Sequence, residues 1–140
     1  MMYNHDIIKC GGRTIRAKFF PILMILVVLC VPAFGQTTAK NWTAKGLALS
    51  AQGEYDDAIK AYDEAIRLDP NLVETWSNKG VALAILGKYD EAIQALDEAI
   101  RLNPNYAAAW NNKGPVLEAL GRTTEAKATF AKARELGLTG

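Results

Sequence analysis

The chain has 140 residues, half of them hydrophobic, and a formal charge of +1, a size that fits one domain with a short appendage. Its single histidine, His5, and its two cysteines, Cys10 and Cys30, all precede residue 36, which excludes disulfides, Cys/His zinc sites and histidine-dependent catalysis from everything beyond. The near-neutral total divides into +3 over residues 1–35 and −2 over the rest, with no one-sided cluster of Lys and Arg; a phosphate backbone requires such a cluster, so no nucleic-acid partner is expected.

Residues 19–34, FFPILMILVVLCVPAF, are wholly apolar and follow a basic stretch that ends at Lys18. Positive charge, then an apolar run, then small residues is the order of a secretory leader. Pro32 breaks the run, and Ala33-Phe34-Gly35 places the expected cleavage between Gly35 and Gln36. The alternative is an uncleaved anchor attached to a membrane through residues 19–34. That run is shorter than the roughly 20 residues a spanning helix takes, and Pro21 and Pro32 interrupt it. Leu29 ahead of Cys30 does not suit a lipoprotein signal, which places a small residue there. Both readings put the rest of the chain outside the cytoplasm, secreted or periplasmic, and the basic flank supports that orientation.

From Ala39 the chain repeats with a period of 34 residues, as 39–72, 73–106 and 107–140. The first two blocks agree at 19 of 34 positions and the second and third at 11. Trp42, Trp76 and Trp110 fall in register, as do Gly46, Gly80 and Gly114, and Gly53, Gly87 and Gly121. Each block reads as two helices. Trp42, Lys45, Gly46 and Leu49 follow the i, i+3, i+4, i+7 spacing of one helix face. Gly53 supplies the left-handed conformation that ends such a helix. Asp56 and Asp57 open the second helix where negative charge suits its dipole. Ala58, Tyr62, Ala65 and Ile66 form its buried stripe, and Asp69-Pro70 ends it. Gly46 is expected opposite Ala58 or Ala65, with Trp42 and Tyr62 filling the volume left over.

These positions resemble the tetratricopeptide repeat (TPR), a helix hairpin of 34 residues patterned on Trp, Gly, Leu, Gly, Tyr, Ala, an aromatic, Ala and Pro. The third block departs from it, with Thr123 for Tyr, Leu138 for Pro, and Pro115 inside its first helix. The resemblance implies an all-α fold, an α-solenoid of three antiparallel helix hairpins. Ile59, Ile66, Ile93 and Ile100 should each cover a following hairpin, whereas the third block has Lys127 and Arg134 there. At the other end Asn41 and Gln52 are polar where later blocks are mostly apolar. The expectation is therefore three hairpins in all, the third a capping repeat.

Proteins of this family bind a protein or peptide partner in the groove lined by the first helices. The side opposite the packed stripe assigns that groove to Lys40, Thr43 and Leu47, to Glu74, Ser77, Val81 and Ile85, and to Asn111 and Glu118, with Leu47, Val81 and Ile85 as an apolar stripe. The reading is a site for an apolar peptide or helix of a partner; the alternative is a scaffold whose copies associate as a homo-oligomer. Some members grip a partner's terminal carboxylates with Lys and Asn of the first repeat and basic residues of the third. Here those positions hold Thr43, Leu47, Ala108 and Asn112, and only Asn78 fits, so such a clamp is not expected. The paired carboxylates Asp63/Glu64 and Asp97/Glu98 lie beside Arg67 and Arg101, at i+4 from the aspartates, as a solvated ion-pair face. No catalytic residue, cofactor or metal is assigned, and the chain reads as no enzyme.

Overall fold

The computed structural model describes residues 7–10, 13–16 and 38–137. They fall in two units, residues 1–36 and 37–140. In the first, β1 (Ile7–Cys10) pairs antiparallel with β2 (Arg13–Arg16), Ile7 opposite Arg16. This ribbon lies in the segment read as a leader and was not foreseen there; the apolar run 19–34 lies outside the described residues.

The second unit is all-α: α1 (Ala39–Ala51), α2 (Tyr55–Leu68), α3 (Val73–Ile85), α4 (Tyr89–Leu102), α5 (Ala107–Ala119) and α6 (Thr123–Glu135). Consecutive helices pack as antiparallel pairs, and each pair packs on the next. Thr38 caps α1 by accepting the Asn41 amide at 3.3 Å, which satisfies one of the donors a helix start leaves unpaired. The three first helices end alike. Gly53, Gly87 and Gly121 have φ of 82°, 75° and 73°. In each case the next amide (Glu54, Lys88, Arg122) reaches back to Leu49, Leu83 or Leu117 at 2.8–3.0 Å, the six-to-one bond of a Schellman motif.

The second helices α2 and α4 end on an Asx turn. Asp69 and Asn103 accept the amides of Asn71 and Asn105, each at 3.0 Å. The indoles of Trp76 and Trp110 then donate to the carbonyls of Pro70 and Pro104 at 2.9 and 2.8 Å. Tryptophan and proline therefore recur together because one fastens the turn that the other makes.

The glycines at 46, 80 and 114 face the large residues of the second helix, and Gly80 also approaches the carbonyl of Ala92, which holds the place of Ala58 in the second hairpin. A Cβ on Gly46 would overlap the Tyr62 ring, one on Gly114 the Phe130 ring, and one on Gly80 would lie 2.6 Å from Leu96 Cγ. Each glycine seats the large residue of the second helix. The alanines are wholly buried, Ala58 and Ala65 each at 0 % exposure.

The ion pairs also differ from the i+4 expectation. Arg67 and Arg101 bind Glu64 and Glu98 one turn away (i, i+3). That frees Asp63 and Asp97 to reach Lys79 and Lys113 of the following hairpin at 2.6 and 2.5 Å. Lys79 also lies 5.5 Å from the Trp76 ring centroid. Lys127 and Arg134 are exposed, whereas Ile93 at the place of Lys127 is buried. α5 continues through Pro115, which has no N–H to offer the Asn111 carbonyl.

Candidate binding groove

The first helices α1, α3 and α5 lie side by side, and three adjoining depressions run across them. Lys40, Thr43, Ala44 and Leu47 of α1 face Val73, Glu74 and Thr75 at the first. Leu47, Ser50 and Ala51 face Asn78, Val81 and Ile85 at the second, with Tyr55 and Tyr62 of α2. Val81, Ala84 and Ile85 face Asn112, Pro115, Val116 and Ala119 at the third, with Tyr89 of α4. Leu47 joins the first to the second, and Val81 with Ile85 joins the second to the third. Leu47 and Ile85 keep 48 % and 54 % of their surface exposed, large values for aliphatic side chains in a packed array.

Hydrogen bonds between hairpins hold the floor of this groove in place. The hydroxyls of Thr43 and Thr75 meet at 2.7 Å, tying α1 to α3. The Asn112 amide donates to the Ser77 hydroxyl at 3.3 Å, tying α3 to α5. Tyr62, 1 % exposed, meets the Ser50 hydroxyl at 3.1 Å. Burial raises the Tyr62 phenol above its ordinary pKa, against the opposing effect of that hydrogen bond. The Tyr106 phenol is raised too, first by burial and then by the negative charge of Glu74.

Lys40, Thr43, Leu47, Glu74, Val81 and Ile85 are thus brought together along one trough. Ser77 is not part of its surface. It is 1 % exposed because α5 packs over it, so its assignment as a contact residue is corrected to a tie between helices. Asn111 and Glu118 are exposed but line none of these depressions; α5 contributes Asn112, Pro115, Val116 and Ala119 in their place.

A larger depression of about 650 Å³ lies away from the groove, lined by Trp76, Lys79, Asp97, Glu98 and Arg101 among others. Most of its ionic groups are paired: Lys79 with Asp63, Asp97 with Lys113, and Glu98 with Arg101. Among the described residues no group of His, Cys, Asp and Glu is placed to hold a metal ion. Nor is any described helix long and apolar enough to cross a membrane.

A family model described as tetratricopeptide repeat matches residues 43–107 and 86–137. The chain belongs to the tetratricopeptide repeat family. Among solved structures it is similar to the first TPR of Spaghetti (RPAP3) bound to the HSP90 peptide SRMEEVD, at 29 % identity and TM-score 0.72 over 74 % of this chain and 82 % of that one. The second TPR of the same protein, bound to the same peptide, matches at 28 % and 0.69 over 71 % and 92 %. The TPR2B domain of yeast Sti1 in its pHsp70 complex matches at 30 % and 0.69 over 70 % and 78 %. No curated protein matches the chain. This is a protein-interaction fold, and the two Spaghetti domains are each bound to the peptide SRMEEVD.

Asn78 and Asn112, considered from the sequence only as clamp positions, line the groove, as does Ala44 at the same place in the 34-residue repeat. Their recurrence as Asn in two blocks was the available signal. Tyr55 and Tyr89, at the starts of the second helices, also reach the groove.

Proposed function

We propose that the protein is a non-catalytic adaptor that captures an apolar segment of a partner protein in the groove across α1, α3 and α5. The observation that carries this is the exposed pair Leu47 and Ile85, set with Val81 along one continuous trough. Burying an aliphatic side chain contributes about 1.5–3 kcal/mol, so covering this trough supplies affinity without any charged contact. Binding of HSP90 and Hsp70 peptides by the neighbouring structures supports the same use of the fold. Their acidic peptide is not the ligand we assign here: the positions a carboxylate clamp needs hold Thr43, Leu47, Ala108 and Asn112, none of them cationic. The leader-like order of residues 1–35 supports an exported or membrane-anchored adaptor.

The test is capture from native extract with the wild-type chain and a Val81→Glu, Ile85→Glu twin of matched helicity. A partner held by the first and lost from the second supports the adaptor. A dimer that the twin lacks, with no partner retained, would replace this reading with self-association through the same face.

A further inference from the structure

The apolar part of the groove consists of two sockets built to one plan. The first is formed by Leu47 and Ala51 on one side and Val81 and Ile85 on the other, with Tyr55 and Asn78. Advancing each number by the 34-residue repeat gives Val81, Ile85, Pro115, Ala119, Tyr89 and Asn112, all of which line the second. The sockets are similar in size, about 290 and 330 Å³, and neither is lined by a charged residue. Charge enters the trough only beyond the first socket, at Lys40 and Glu74.

Resting on the adaptor reading, we propose that the two sockets read an internal, extended segment of the partner carrying two aliphatic side chains three residues apart. Neighbouring packed helices lie about 8–10 Å apart, so sockets set between successive first helices are expected to repeat at about that interval. A polyproline-type chain rises about 3.1 Å per residue with three residues per turn. Side chains at i and i+3 therefore point the same way about 9 Å apart and fill both sockets. A terminal carboxylate placed here would lose its water with no cation to replace it, so the segment is internal to its chain.

The same sockets favour an extended backbone over a helix. The hydroxyls of Tyr55 and Tyr89 and the amide of Asn78 have no hydrogen-bond partner among the described residues. An extended strand has free N–H and C=O groups to offer them, whereas a helix pairs its own.

The experiment is competition binding to the protein as recovered from its producing cell. The probe is the N-acetylated, C-amidated peptide Gly-Ser-Pro-Leu-Pro-Ala-Leu-Pro-Ser-Gly, compared with versions whose leucines are two or four residues apart and with free-acid SRMEEVD. The three-residue spacing should bind at least tenfold more tightly than the other two. Ile85→Glu, which alters a wall of both sockets, should weaken it at least tenfold, and Ala119→Phe, which fills only the second socket, should erase the spacing preference. Equal affinity at all spacings, or no binding by any of the leucine peptides, overturns the proposal. Tighter binding of SRMEEVD that Ile85→Glu abolishes also overturns it while leaving the groove as the site. If no peptide binds and the capture experiment is unchanged by the charged twin, the adaptor reading falls as well.

Discussion

Gly80→Ala should destabilise the protein even though alanine is the better helix former. A Cβ at residue 80 would lie 2.6 Å from Leu96 Cγ, 3.1 Å from its Cδ2 and 3.2 Å from the Ala92 carbonyl oxygen. Carbon atoms in contact prefer about 3.5–4.0 Å, so the nearest pair is about 1 Å too close. Leu96 is fully buried and the clash is with its branch point rather than a mobile tip. The Ala92 oxygen belongs to the backbone of α4. Overpacking of this kind costs about 1–3 kcal/mol, and the propensity gain of alanine over glycine returns about 1 kcal/mol, which leaves a net loss of about 0–2 kcal/mol. A double-mutant cycle isolates the cause. Leu96→Ala alone removes about 2–5 kcal/mol; with that leucine gone, Gly80→Ala should become neutral or mildly stabilising, a coupling of about 2 kcal/mol. Urea unfolding of the four proteins measures it. A stabilising Gly80→Ala in the wild-type background, or a coupling near zero, would refute the seating of Leu96 on Gly80.

Gly87→Ala tests the backbone instead of the space: φ is 75° and nothing lies within 4 Å of an added Cβ, so a loss of about 1–2 kcal/mol is expected from the left-handed conformation, unchanged by Leu96→Ala. Wild-type stability should fall as pH rises above 10. The Tyr62 phenol is raised by burial, so its contribution is complete below the unfolded pKa of about 10 and declines by at most about 1.4 kcal/mol per pH unit until the folded pKa is passed. Tyr62→Phe should flatten that decline in unfolding midpoints taken from pH 9 to 11.5; identical slopes in both proteins would discard the assignment.

The residues that recur with the repeat were legible because the repeat itself sets their duties. Trp76, Gly80, Leu83 and Gly87 face their own second helix or end their own first helix, so periodicity placed them. The groove was harder to read because α3 is packed on more than one side. Gly80 and Leu83 face α4, and Ser77 is drawn inward by Asn112 of α5. Choosing the side opposite one buried stripe treats a helix as having a single covered face, and that rule put the buried Ser77 on the surface. Side-chain reach was equally invisible. Asp63 lies at i, i+4 spacing to Arg67, yet it crosses to Lys79 while Glu64 takes the arginine, a choice that depends on where the next hairpin stands.

On the adaptor reading, recognition and stability fall to different positions of the same helices, and the two groove residues that test this differ in kind. Ile85 is 54 % exposed, so Ile85→Glu places its charge in water and should leave the unfolding midpoint within about 0.5 kcal/mol of wild type. Val81 is only half-buried between the two sockets. Val81→Glu pushes part of a charged side chain against Leu47 and Pro115, and so should lower stability as well as binding. If Ile85→Glu proved as destabilising as Val81→Glu, Ile85 would belong to the packing between hairpins, and the trough would lose the wall its two sockets share. If Ile85→Glu left stability intact and removed binding, the wall would be a recognition surface, free to vary in sequence while the Trp, Gly and Leu positions behind it hold the hairpins together.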